Sequence, residues 1–224
     1  MFANKLLIFD TETTGLFPKN LSHKKPYITQ LSFIVYDLST HSIRSSFNSY
    51  IRIPDEIEIP ERVTEITGIT KYLCFEHGIP IQEALAAFYH ASINCDTIIA
   101  HNIEFDIKMI ETEIERNLPS LKSYPEINDM FNPSRLAYHN IKLDCTMQLT
   151  VDACAILRTT DKNFTYKKFP KLKETYEYLF KIPTPDNLHN SIIDVIVCLR
   201  CYLKIKYDKD ITDDIFQVYL NRFL

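Results

Sequence analysis

The sequence predicts an α/β fold: a mixed sheet in which an antiparallel β-meander is followed by parallel strands, with helices on both faces. Two observations lead there. Near the N-terminus three strand-like segments follow one another with no helix between them, the pattern of a meander. Beyond residue 60 the apolar spacing changes, and segments with a helical period alternate with short β-branched runs.

Lys5–Asp10 is a short apolar run ending in an acid, as expected of a buried strand whose C-terminal end carries polar groups, and Thr11–Leu16 reads as a turn. Tyr27–Asp37 and Ser42–Ile53 are the second and third strands. Pro60–Ile66 is a short helix stopped by Gly68, and Pro80–Ser92 carries an Ala, Leu, Phe stripe at helical spacing. Asp96–Ala100 is a fourth strand, and Asn102–Asn117 a helix ending before Pro119. From Pro119 to Asn140 no period is visible, and a partly helical surface loop is expected. Ile141–Cys145 then reads as a fifth strand. Helices are expected near Thr146–Leu157, over Lys171–Phe180 and Ser191–Tyr207, and over Thr212–Phe223 with Thr212 as N-cap. In mixed sheets of this kind sites collect where strands end, and Asp10 and His101 both fall at strand ends.

A chain of 224 residues can bury a core without disulfide or metal staples, and one domain over residues 1–224 is expected, with a loop insertion near 119–140. Hydrophobic residues at 46% and charged residues at 24% exclude a disordered chain. The opening MFANKLLIFD lacks the apolar length of a secretory signal and reads as a mature N-terminus, and no stretch is long enough to cross a bilayer. An intracellular protein, cytoplasmic or nuclear and not secreted, is therefore expected, with no membrane partner. Its six cysteines are then reduced thiols. Cys198 and Cys201 form a CxxC, but it lies in an apolar helical stretch with no second pair at zinc spacing, so buried core thiols are expected. The net charge of −4 excludes a protein coated in positive charge for nonspecific nucleic-acid binding. It does not exclude a nuclease, because metal ions held by carboxylates bring their own charge to a phosphate.

Three clusters carry chemistry. In FDTETTGL, Asp10 and Glu12 lie two apart on an extended segment and project from one face, where two carboxylates repel unless a cation lies between them. In IIAHNIEFDIKMI, His101 and Asn102 end a strand and open a helix, with Asp106 four residues on and able to share a face with Asn102. In LHNSIIDVIVCLRCYL, Asp194 opens an apolar helix and His189 precedes it by five residues. Each cluster alone has a plain alternative: an exposed acidic turn, an N-cap followed by a solvent-facing acid, or a dipole-stabilised first-turn carboxylate after a loop histidine.

Together, in order, spacing and setting, the clusters resemble the DEDDh group of 3′-to-5′ exonucleases, an RNase H-like fold that includes polymerase proofreading subunits and oligoribonucleases. Asp10 and Glu12 match its first motif, Asp106 its second, and His189 with Asp194 its third. ITGIT (Ile66–Thr70), LDCT (Leu143–Thr146) and PKLKETYEYLF (Pro170–Phe180) resemble its connecting segments. Two departures stand out. Ser191 replaces the family's usual Ala, and Ser120–His139 looks longer than usual. A His five residues before the last Asp, rather than a Tyr four before it, assigns the His subgroup.

The resemblance implies release of nucleoside 5′-monophosphates from a free 3′ end of nucleic acid. It further implies two Mg²⁺ or Mn²⁺ ions per active site on Asp10, Glu12, Asp106 and Asp194, with His189 as general base. Hard divalent ions prefer oxygen donors, which suits a carboxylate set. Thr13, Thr14 and Leu16 would receive the terminal nucleotide, with His101 and Asn102 nearby; Phe105 would either stack on a base or pack in the core. Lys24, Lys25, Lys167, Lys168, Lys171 and Lys173 are candidate phosphate contacts. DNA is the expected substrate, with an exoribonuclease or oligoribonuclease as one alternative and an inactive nucleic-acid- or protein-binding module as another. A polymerase or a second copy is the expected protein partner.

Overall fold

The computed structural model describes residues 4–19, 25–186 and 188–222. In chain order the elements are β1 (Lys5–Thr13), β2 (Ile28–Asp37), β3 (Ser42–Tyr50), α1 (Glu61–Thr67), α2 (Lys71–His77), α3 (Ile81–Ser92), β4 (Thr97–Ala100) and α4 (Ile103–Asn117). A 3₁₀ turn (Pro125–Asp129) follows, then α5 (Pro133–Tyr138), β5 (Lys142–Cys145), α6 (Thr146–Cys154), β6 (Leu157–Thr159), β7 (Thr165–Lys167), α7 (Leu172–Phe180), α8 (Ser191–Tyr207) and α9 (Asp213–Asn221).

The main sheet has the order β3-β2-β1-β4-β5. β1, β2 and β3 pair antiparallel, and β4 and β5 add parallel to β1, as the sequence predicts. Alternation along β1 splits its side chains between two cores. Leu7 and Phe9 join Leu85 and Phe88 of α3 and Met109 and Ile110 of α4. Leu6 and Ile8 face the other way, against Ile192, Val195, Ile196 and Leu199 of α8, Tyr176 of α7 and Phe216 of α9. A strand covered on both faces has to be apolar at every position, which is why LLIF reads as an unbroken run. By contrast, β3 (SIRSSFNSY) is a polar edge strand, which discourages pairing with another chain.

Several boundaries differ from the expectations for local reasons. β1 continues through Thr11–Thr13, because that stretch still pairs with β2, with an irregularity at Glu12/Thr13. The helix expected to reach Leu157 ends at Cys154, where Ala155 turns left-handed, and Leu157 opens a separate hairpin with β7. Residues 119–140 are more than a surface loop: they hold the 3₁₀ turn and α5, and they bury Leu121, Ile127, Met130 and Phe131 in the core shared with α3 and α4. The helix α2 was not expected; the Thr70 hydroxyl caps it by accepting from the Leu73 N–H. Thr212 occupies the N-cap of α9 without a side-chain bond, and Phe223 lies outside the described residues, as do Met1–Ala3 and Lys24. Cys198 and Cys201 are buried free thiols, both pushed up by burial. Among the described residues no helix is long and apolar enough to cross a membrane.

Candidate active site

The period of a strand places Asp10 and Glu12 on the same side of β1 as Leu6 and Ile8, toward α8, while Thr11 points to the opposite side, toward α4. Each helix answers with one carboxylate. Asp106, in the first turns of α4 and only 3% exposed, accepts from the Thr11 backbone N–H at 3.1 Å and from the Thr11 hydroxyl at 2.7 Å. Asp194, in the first turn of α8, accepts the backbone N–H of His189 at 3.1 Å. This bond ties down a histidine whose backbone is left-handed (φ 73°), and its ring lies exposed at the mouth of the cluster. One ligand atom each from Glu12, His189 and Asp194 lies within 4.8 Å of the other two.

The charges of this cluster are mutually opposed. Burial raises the Asp10 carboxyl to about 7. Burial, and then the charges of Asp10, Asp194 and Asp106, raise Glu12 to about 10. Asp106 and Asp194 are also held well above the usual range by burial and by Asp10, although Thr11 and the His189 N–H pull the other way. Among the described residues no lysine or arginine forms an ion pair with any of the four. Four converging carboxylates without a counter-ion form a hard-oxygen donor set, and a divalent cation is the group that fits it.

The other expected residues are distributed around this centre. The Thr13 hydroxyl donates to the Gly15 carbonyl at 2.7 Å and shapes the turn, at which Gly15 has φ +150°, a region open chiefly to glycine. Thr14 is fixed to Tyr27, its N–H on the Tyr27 carbonyl and its hydroxyl under the Tyr27 N–H. Leu16 projects with 82% of its surface exposed. Thr14, Gly15 and Leu16 line a cavity of about 290 Å³ with Lys25, Pro26 and Tyr27. A larger cavity of about 630 Å³, between Tyr27, Ile53, Phe75 and Gln82, includes none of the four carboxylates. Phe105 is half-buried edge-on to Phe17, their centroids 5.8 Å apart.

Asn102 sits at the N-cap of α4 in a left-handed conformation, without a side-chain capping bond. His101 has both ring nitrogens engaged within the protein: Nδ1 meets the Thr146 hydroxyl at 2.9 Å and Nε2 the Pro170 carbonyl at 3.0 Å. Because a carbonyl can only accept, Nε2 carries the proton and Nδ1 accepts from Thr146. Burial lowers the ring's pKa to about 4, so it stays neutral. That geometry leaves His101 no ring nitrogen for a substrate; it braces the turn into α4 instead. Of the candidate phosphate contacts, Lys25 pairs with Glu115, Lys167 with Asp152, Lys168 with Glu174 and Lys173 with Glu177.

One group of residues was invisible in the sequence motifs. Gln30, buried on β2, accepts the Ser191 N–H on Oε1 (3.3 Å) and donates from Nε2 to Asn190 Oδ1 (3.4 Å) and Asn48 Oδ1 (2.9 Å). The hydroxyls of Ser32 and Ser191 meet at 2.5 Å, and Ser32 also donates to Asn48. These bonds clamp Asn190 and Ser191, the two residues after His189. The one signal available was Ser191 itself, a polar side chain where the resembled family has Ala.

A mixed sheet with an antiparallel meander, parallel strands and carboxylates gathered at one strand end defines the RNase H-like class. Within it the chain belongs to the RNase T exonuclease family, whose model matches residues 7–202. No curated protein matches it by sequence. Among solved structures it is similar to exonuclease I, with a TM-score of 0.66 at 16% identity over 98% of this chain and 44% of the other. E. coli exonuclease I in complex with a dT13 oligonucleotide gives 0.60 at 18% identity over 90% and 41%. A 3′-exonuclease described in 3′-end-specific recognition of a histone mRNA stem-loop gives 0.66 at 13% identity over 93% and 65%. The chain thus spans less than half the length of the exonuclease I structures it matches.

Proposed function

We propose that this chain is a 3′-to-5′ exonuclease that releases nucleoside 5′-monophosphates from the 3′ end of DNA, with two Mg²⁺ or Mn²⁺ ions per site. The observation that carries the reading is the convergence of Asp10, Glu12, Asp106 and Asp194, with no lysine or arginine paired to them among the described residues, beside an exposed histidine. Bound to these oxygens, two hard divalent ions would neutralise charge on the attacking and leaving oxygens and acidify a water. In this reading Asp10, Glu12, Asp106 and Asp194 would hold the ions, with Asp106 itself held in place by Thr11. His189 takes the proton of the attacking water at a ring nitrogen, work suited to an imidazole, which can accept a proton at one nitrogen. Its fixed backbone N–H on Asp194 keeps the ring at the cluster, while exposure leaves it free to turn. Thr13, Thr14 and Leu16 receive the terminal nucleotide at the end of β1, and the exposed Leu16 wedges against its base.

The test is a gel assay with 3′-accessible, 5′-labelled single-stranded DNA, duplex DNA and RNA in Mg²⁺, Mn²⁺ or EDTA. The expected result is stepwise shortening from the 3′ end, fastest on single-stranded DNA and abolished by EDTA. Shortening that survives EDTA would overturn the metal mechanism, preferential shortening of RNA would replace the substrate, and no shortening at all would favour a binding module.

A further inference from the structure

The hairpin β6–β7 takes no part in the chemistry above, and its two faces differ. The register pairs Leu157 with Lys167, Arg158 with Tyr166 and Thr159 with Thr165. Residues opposite one another in an antiparallel pair share a face, so Leu157, Thr159, Thr165 and Lys167 lie on one side. Arg158 and Tyr166 lie on the other, joined by Phe164 two residues before Tyr166. On the first side Lys167 Nζ meets Asp152 of α6 at 2.7 Å, and the Thr159 and Thr165 hydroxyls meet across the hairpin at 2.9 Å. The second side presents two aromatic rings to solvent, 66% exposed at Phe164 and 38% at Tyr166. The rings lie 16° from parallel with centroids 6.3 Å apart.

The charge of this arm runs against that of the whole molecule. Arg158, Lys162, Lys167 and Lys168 against the single acid Asp161 give residues 156–168 a net charge of +3, in a chain whose net charge is −4. Arg158, beside the rings, and Lys162, at the tip, form no ion pair among the described residues. The arm is also rooted at the right end of the sheet. The Lys168 N–H closes its base on the Ile156 carbonyl, and two residues later the Pro170 carbonyl accepts from His101. The parallel register that pairs Ile8 with Ile99 brings Asp10 level with His101. The hairpin therefore springs from the rim that carries the carboxylates.

We propose that the Arg158–Phe164–Tyr166 face docks single-stranded DNA of the substrate, upstream of the nucleotide being removed. Bases stack on Phe164 and Tyr166, while Arg158 and Lys162 neutralise the neighbouring phosphates. Flat rings with unpaired cations beside them match a polyanion whose bases carry exposed π-faces, and such stacking is tolerant of sequence. The choice of ligand rests on the exonuclease reading, so the test measures binding without cleavage.

Anisotropy of 5′-labelled dT20 with the full chain in EDTA provides that measurement. Phe164→Ala with Tyr166→Ala is expected to raise Kd about a hundredfold, since loss of stacking costs on the order of tenfold per base and two rings are removed. Tyr166→Phe, which keeps the ring, should retain wild-type affinity. Arg158→Ala with Lys162→Ala should reduce the slope of log Kd against log salt by about 1.4. An unchanged melting temperature would show that these variants fold. A Kd within twofold of wild type for the ring variant would overturn the proposal, and tighter binding of rU20 than dT20 would overturn the assignment to DNA. A ring variant that instead converts a dimer to monomer at constant Kd would mark the face as an interface between copies, and the proposal would fall. Hairpin-dependent binding by a chain that cuts nothing would sink the exonuclease reading and leave this one standing.

Discussion

Asp10→Asn removes the central charge of the cluster while keeping its size, and the consequence for stability can be worked out. In the metal-free fold the Asp10 carboxyl is raised by burial from 3.8 to about 7. The folded state therefore binds more protons than the unfolded state between these values, so stability falls as pH rises through that window. The cost is complete above about pH 7 and fades toward pH 4. Three units correspond to about 4 kcal/mol, at about 1.36 kcal/mol each. Half of that, about 2 kcal/mol, is the better figure, because Asp10 and Glu12 share one site and take up protons as a pair rather than singly. For a chain of this size about 2 kcal/mol moves the melting temperature by roughly 4–8 °C. The expected result in EDTA at pH 8 is a variant that melts higher than wild type by that amount, with the gap narrowing as pH falls toward 4. Adding Mg²⁺ or Mn²⁺ should raise the wild type by about 2.7 kcal/mol at a hundredfold excess over Kd, and the variant far less. Differential scanning fluorimetry across pH, with and without metal, reads all four conditions. A variant no more stable than wild type in EDTA at pH 8, or a wild type indifferent to both metals, would refute the reasoning.

Further predictions concern the neighbours of this centre. His189→Ala should reduce kcat at least a hundredfold while leaving the metal-induced rise in melting temperature intact; near-wild-type turnover would remove His189 as the base. Gln30→Ala frees Asn190 and the Ser191 N–H together, so kcat should drop about tenfold with KM little changed, measured by initial rates on labelled DNA. His101→Ala deletes the bonds to Thr146 and Pro170 and should cost about 2 kcal/mol in chemical denaturation, a loss unaffected by added metal. Because the four carboxyls must lose protons to bind cations and all are raised, the apparent metal affinity should weaken steadily as pH falls below about 7; isothermal titration at pH 6 and 8 would reveal a flat response if the cluster were not the site.

Much of this molecule was legible in local pattern. The unbroken LLIF run, the helical stripes of α3 and α4 and the long apolar α8 reported the sheet and its two coverings, because burial on both faces dictates residue type position by position. The hairpin β6–β7 escaped because its residues are exposed and a three-residue strand carries no period to detect. Residues 119–140 escaped for the opposite reason: Leu121, Ile127, Met130 and Phe131 are buried, yet a short 3₁₀ turn spaces them irregularly. The left-handed Ala155 that ends α6 gave no glycine to announce it.

What the sequence alone determined is the chemical inventory, namely two carboxylates at a strand end, one on each of two later helices, and a histidine five residues before the last. Spacing along a strand or across a helix turn is local geometry, and local geometry is written in the chain. The tertiary structure decided how those groups meet. It turned Thr11 onto Asp106, set the His189 N–H on Asp194, spent both nitrogens of His101 on Thr146 and Pro170, and clamped the approach to α8 with Gln30 and Ser32. These pairs are separated by up to 161 positions, apart from the His189–Asp194 pair, and their partners are fixed only when two cores close on opposite faces of one sheet.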